Sequence, residues 1–174
     1  DHWSLDETEG GGRIIGEVCH FIDFIQYLTG SLPSAVSAEA VAQTRAAGFV
    51  DDSCVISLGL RDGSAASIVY AASGDSTLAK ERVEVFCDRS VCTIDDFRSG
   101  EIVRGGKKRR LGGGAQDKGH AAEISEFFKA VRGQQAPPIS LESLIATTRT
   151  CFAIMESIRS GRKISLIETI DEHG

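Results

Sequence analysis

The 174-residue sequence contains no run of 18 or more apolar residues, so it offers no membrane-spanning helix. No charged-then-apolar segment opens it as a secretion signal would. No C-x-x-C occurs. The five cysteines, Cys19, Cys54, Cys87, Cys92 and Cys151, are odd in number and irregularly spaced. That speaks against a disulfide framework or a structural zinc site, and for reduced, buried thiols in a cytoplasmic protein. A basic excess is missing too. The net charge of −6 argues against broad nucleic-acid binding, because a phosphate-binding face normally shows as surplus Lys and Arg. No G-x-G-x-x-G follows a strand-like run, and no strand–helix alternation builds a parallel sheet. The chain is therefore not expected to hold a dinucleotide by itself. No methionine begins it, and DHWSLDETEGGG reads like a loop entered midway, as in the C-terminal portion of something longer.

What is present is the composition of a globular protein, 41% hydrophobic and 25% charged. The length suits a single domain, 1–174, able to bury about 70% of its unfolded surface. After a triple glycine, Ile14, Ile15, Val18, Ile22, Ile25 and Leu28 recur at helical spacing, and Gly30 followed by Pro33 supplies a stop. This predicts a helix over 13–30. Short runs rich in Val, Ile, Ser and Thr follow from 35 to 104, punctuated by turn signals such as RDGS at 61–64 and CDRS at 87–90. They predict an antiparallel meander. In VISLGL, Ile56, Leu58 and Leu60 alternate with Val55, Ser57 and Gly59, so one face needs a cover. GGKKRRLGGG, within 105–116, reads as a mobile basic loop. Two helices, 119–132 and 140–160, should supply the cover. Their predicted stripes are Ile124, Phe127, Phe128 and Val131, then Leu141, Leu144, Ile145, Cys151, Phe152, Met155 and Ile158. Ser140 is the N-cap candidate of the second, and Gly133 and Gly161 are the stops. The order predicts an α+β fold, an open, mostly antiparallel sheet with helices packed on one face.

The first helix carries the only constellation with chemical potential. Glu17 precedes His20 by three residues, Asp23 follows by three and Tyr27 by seven, so all four can share one stripe. Histidine moves protons near neutral pH, and a carboxylate neighbour can hold its tautomer and orientation. Solvated carboxylates around a half-buried packing histidine are the alternative reading of the same pattern. Arg13, at the start of the helix, is an anion-contact candidate. His120, just before a predicted helix, either punctuates it or faces a cleft. A metal reading of E-x-x-H fails for want of a second such pair, since His2, His120 and His173 belong to no comparable motif. The run Lys107–Arg110 reads as a solvated tip before it reads as a phosphate clamp.

GGGRIIGEVCHFIDFIQYLTGSLPSAVSAEA resembles the G-G-G-x-x-x-D-x-G-x-H-x-x-D segment that opens the C-terminal domain of glucose–fructose oxidoreductase/inositol dehydrogenase-type enzymes, the Gfo/Idh/MocA family. KGHAAEISEFFKAVRGQQAPPISLESLIATTRTCFAIMESIRSGRKISL is similar to that family's closing pattern. The resemblance implies a C-terminal domain of the type shared with dihydrodipicolinate reductase and glyceraldehyde-3-phosphate dehydrogenase. It further implies an oxidoreductase using NAD or NADP, held mainly by an N-terminal Rossmann domain outside this chain. The substrate would be carbohydrate-like, a sugar, cyclitol or sugar-nucleotide hydroxyl. The family histidine falls on His20, which would exchange the hydroxyl proton as hydride moves. Asp23 matches the later aspartate. The family's first aspartate falls on Gly16 and its glycine on Val18, which leaves Glu17 as the nearest carboxylate. Catalytic roles are thus implied for His20 and Glu17, and substrate contacts for Arg13, Asp23 and His120. The family's sheet also implies a homodimer, through strand faces such as Ile68 and Tyr70, or Val83, Val85 and Cys87. A non-catalytic binding or scaffold domain of the same fold is the rival reading.

Overall fold

The helix predicted over 13–30 opens with a π-helical turn, Ile14–Val18, and continues as α1, Cys19–Thr29. Gly30 ends it in the left-handed region at φ 63°, its N–H donating to the Gln26 carbonyl at 2.8 Å. The computed structural model describes residues 12–41, 53–72, 74–75, 77–113 and 115–167. Gly10, Gly11, His2, His173 and the opening DHWSLDETE lie outside the described residues.

Strands β1 (Pro33–Ala40), β2 (Ser53–Leu60) and β3 (Ala65–Ala71) are antiparallel neighbours, with the two-residue β8 (Ile164–Ser165) on the far side of β1. The RDGS signal is the β2–β3 turn. Leu60 N–H donates to the Ser64 carbonyl at 2.9 Å, and Asp62 Oδ1 accepts from Ser64 N–H at 3.0 Å. The alternation in β2 runs as its sequence predicts, with Ile56, Leu58 and Leu60 buried and Val55 and Ser57 exposed.

The cover is the π turn, α1 and the long helix α3 (Leu141–Ser160). Ile14, Val18 and Ile22 meet Val36, Cys54, Ile56, Leu58 and Ile68 from the sheet, and Cys151 and Ile154 from α3. Full burial of each Ile or Leu contributes about 1.5–3 kcal/mol. Ser140 caps α3 as expected, accepting from Ser143 N–H at 3.1 Å.

The buried stripe of α3 differs from the one its large residues suggest. Leu141, Leu144, Ile145 and Phe152 are exposed, while Thr147, Thr150, Cys151, Ala153, Ile154 and Ser157 face inward. Short side chains let α3 lie close against β1. Their hydroxyls are satisfied locally, as when Thr150 donates to the Ala146 carbonyl at 2.7 Å. Ser157 goes further. It accepts from Ala38 N–H at 2.9 Å and donates to the Arg162 carbonyl at 2.6 Å, supplying β1 with a partner just where β8 has run out.

The remaining strands do not continue the first sheet. The chain divides into two compact units, 1–73 with 139–174, and 74–138. The second holds β4 (Arg82–Cys87), β5 (Ser90–Asp95), β6 (Ser99–Arg104) and β7 (Lys107–Gly112), paired antiparallel in that order, and α2 (His120–Val131). Asp88 and Arg89, at φ 43° and 56°, form the tight β4–β5 turn that CDRS foretells. The segment expected as a mobile basic loop is instead a hairpin. Gly105 and Gly106 turn at φ 56° and 72°, and Lys107–Arg110 lie in β7, an edge strand whose cations reach solvent on both faces. Helix α2 buries none of its residues. Ile124, Phe127, Phe128 and Val131 are all exposed, contrary to the covering role expected of them.

Candidate active site

A helix turning about 100° per residue puts Asp23, Tyr27, His20, Phe24 and Glu17 within roughly 120° of arc, one face of a cylinder. The opposite face, Val18, Ile22 and Gln26, is buried. Core packing therefore orients this helix so that His20, Glu17 and Tyr27 point outward, with Asp23 half-buried beside them. Arg13, half-buried, stands just before the π turn. The structure thus brings Arg13, Glu17, His20 and Asp23 onto one short segment of the first unit. His120 is exposed at the first position of α2, in the second unit. Among the described residues, the side chains of Glu17, His20 and Asp23 make no hydrogen bond or ion pair, which leaves all three available to a ligand.

Burial, reinforced by the charges of Glu17 and Asp23, raises the half-buried Cys19 thiol above its ordinary value. Cys151 is pushed up to about 12, chiefly by burial and further by Cys19. Both are held as neutral thiols and offer no thiolate nucleophile near neutral pH. The expectation of buried thiols fits Cys54 and Cys151, whereas Cys87 is exposed and Cys19 and Cys92 are partly so.

Sequence reasoning missed the polar contact that locks α1 to α3. Gln26, 5% exposed, donates from Nε2 to Thr147 Oγ1 at 2.6 Å, while its Oε1 is buried without a partner. Its place one turn after Ile22, in phase with the apolar stripe, was the available signal.

The strand faces suggested for an interface also need correction. Ile68 is buried and Tyr70 packs against the core. The register with β2 decides this, since Ile56 pairs with Ile68 and both face the helices. The open face carries the rows Ala35–Gly59–Ala65, Ser37–Ser57–Ser67 and Glu39–Val55–Val69. Val55 and Val69 are exposed there by 49% and 73%. In the second sheet, Val83 and Val85 are half-buried and Cys87 is exposed.

Every strand pairing among the described residues is antiparallel, and the glycine-containing segment between β7, an edge strand, and α2 lacks the G-x-G-x-x-G turn of a strand–turn–helix unit in a parallel sheet. These residues do not fit a dinucleotide, whose pyrophosphate needs such a turn. Among the described residues no group of three or more His, Cys, Asp or Glu is arranged to hold a metal, and no helix is long and apolar enough to cross a membrane.

Comparison with known proteins agrees with this architecture. The aldose-aldose oxidoreductase from Caulobacter crescentus superposes with a TM-score of 0.80 at 22% identity, over 95% of this chain and 51% of that one. An oxidoreductase domain protein from Kribbella flavida gives 0.77 at 19% identity, over 97% and 55%. The UDP-N-acetylglucosamine 3-dehydrogenase from Acidithiobacillus ferrooxidans gives 0.72 at 18% identity, over 84% and 47%. These likenesses establish the fold, and the chain spans about half the length of the structures it matches. No curated protein sequence matches significantly. The family model of the GFO/IDH/MocA C-terminal domain matches residues 1–92, which include the π turn, α1, the first four strands and the start of β5. By that match and by its fold, the chain belongs to the GFO/IDH/MocA C-terminal domain family.

Proposed function

We propose that this chain is the substrate-facing and oligomerising part of an NAD- or NADP-dependent oxidoreductase. It acts on the hydroxyl of a sugar, cyclitol or sugar nucleotide, and is inactive without a Rossmann domain to hold the cofactor. The observation that carries the proposal is His20, exposed on a helix whose reverse face is locked in the core, where the sequence resembles the histidine of the family motif. The substrate class draws support from relatives named for aldoses and for UDP-N-acetylglucosamine.

In this reading His20 takes the proton of the substrate hydroxyl, or returns it in the reverse direction. Glu17, one turn earlier on the same face, steadies the imidazolium that results. Arg13 and Asp23, flanking the pair, contact substrate oxygens. The open face of the first sheet, floored by small residues and ridged by Val55 and Val69, pairs with the same face of a second copy. Reduced thiols and the absence of bridged cysteines among the described residues suit a cytoplasmic setting.

The test is His20→Ala in the intact enzyme with its dinucleotide domain. Turnover should fall by roughly 10² or more, the scale for removing a general acid–base. Unchanged turnover removes His20 from the mechanism.

A further inference from the structure

Strand β7, Lys107–Gly112, lies at the edge of the second sheet, and nothing pairs with its outer side among the described residues. Its first four residues are consecutive cations, in a chain whose net charge is −6. The ladder with β6 decides which backbone groups are free. Arg104 and Lys107 close the Gly105–Gly106 turn, and at the far end Gly113 N–H donates to the Arg98 carbonyl at 3.0 Å. Antiparallel partners exchange hydrogen bonds at every second residue. Lys107, Arg109 and Leu111 therefore bond to β6, while Lys108 and Arg110 aim their N–H and C=O groups outward.

The fold leaves most of this charge unneutralised. Lys108 reaches Glu101 at 3.2 Å, and Arg104, directly across from Lys107, is engaged by Asp88 at 2.6 Å. Lys107, Arg109 and Arg110 make no ion pair among the described residues. Edge cations guard a strand against pairing with its own kind. The opposite edge, β4, has no such guard. It carries Val83, Val85 and Phe86, and its one cation, Arg82, is held by Glu84 and Asp95 at 2.8 and 3.5 Å. The field that repels a second β7 attracts a strand of opposite charge.

From this we infer that the outer edge of β7 is a docking site for an extended acidic segment of a partner protein, which joins the four-stranded sheet as a further strand. The backbone groups of Lys108 and Arg110 hold its main chain. Successive side chains alternate between faces in both strands, so a run of consecutive acidic residues meets the consecutive cations better than an alternating one. The free edge favours a peptide over a nucleic acid, whose phosphates need the cations but not the strand. The site lies in the second unit and does not depend on the chemistry at His20.

The test measures fluorescence anisotropy of labelled peptides on the intact protein. The probe is Thr-Val-Glu-Glu-Glu-Glu-Val-Thr, and its controls carry Gln for Glu or N-methyl groups on alternate backbone nitrogens. The Glu peptide should bind, and hydrogen exchange should slow in residues 107–113. The Gln peptide, and whichever N-methylated form blocks the pairing edge, should bind about tenfold more weakly. K108E/R110E should weaken the Glu peptide by about tenfold or more, with the fold intact by circular dichroism. Equal binding of both N-methylated forms and the parent reduces the site to general charge attraction and overturns the inference. So does an unchanged affinity in K108E/R110E, or a single-stranded oligodeoxynucleotide that binds more tightly than the peptide and displaces it.

Discussion

Replacing Thr147 by valine keeps the shape of the side chain and deletes one hydroxyl, the acceptor for Gln26 Nε2 at 2.6 Å. Gln26 is 5% exposed and its Oε1 already lacks a partner, so the substitution leaves a whole buried amide unpaired. Stranding a buried donor costs about 1–3 kcal/mol, and a loss near 2 kcal/mol is expected. For a chain of this length that lowers Tm by roughly 4–8 °C. Gln26→Leu should behave differently. It deletes the orphaned Oε1 together with the donor and adds apolar surface, and the stranded Thr147 hydroxyl can turn to its own helix. Thr148 and Thr150 already do so, donating to the carbonyls of Leu144 and Ala146 at 3.1 and 2.7 Å. A change within about 1 kcal/mol of wild type follows. The double variant should recover most of the Thr147→Val loss, giving a coupling of about 1 kcal/mol or more. Urea unfolding of all four proteins, followed by far-UV ellipticity, reads these values. A harmless Thr147→Val, or a double variant showing the plain sum of two losses, refutes the assignment of this contact as the lock between α1 and α3.

Alkaline pH tests the burial of Cys151. Its thiol rises from an ordinary 9.0 to about 12 in the fold, so the folded state holds its proton where the unfolded state has released it. The stability it contributes is complete below pH 9 and is lost as pH climbs towards 12. The advantage of wild type over Cys151→Ala should therefore shrink by about 2 kcal/mol between pH 8 and 10.5. A constant difference in urea midpoints would contradict this. Sedimentation tests the sheet pairing: the wild type should run as a dimer and Val69→Asp as a monomer, and a monomeric wild type at high micromolar concentration excludes it.

Much of the fold was legible because it depends on neighbours in sequence. Gly30, Ser140 and Gly161 end or begin their helices as read, and the turns at RDGS and CDRS close their hairpins. Each relies on a local φ or a hydroxyl within three residues. The candidate site was legible for the same reason, since Glu17, His20 and Asp23 share a face by helical period alone. The faces of α3 were not. Its large residues suggested one stripe, yet the close approach of β1 selects Thr147, Thr150, Ile154 and Ser157. Nor did KKRR declare itself a strand, because an exposed edge tolerates charges that composition assigns to a loop.

By itself the sequence determined periods, stops and the chemistry of one helical stripe, because these follow from backbone sterics and side-chain type over a few residues. Only the tertiary structure decided which stripe turns inward, that the strands part into two sheets, and that Gln26 meets Thr147 across 121 residues of chain. Burial belongs to segments distant in sequence, and their pairing is set by the register and packing that they form together.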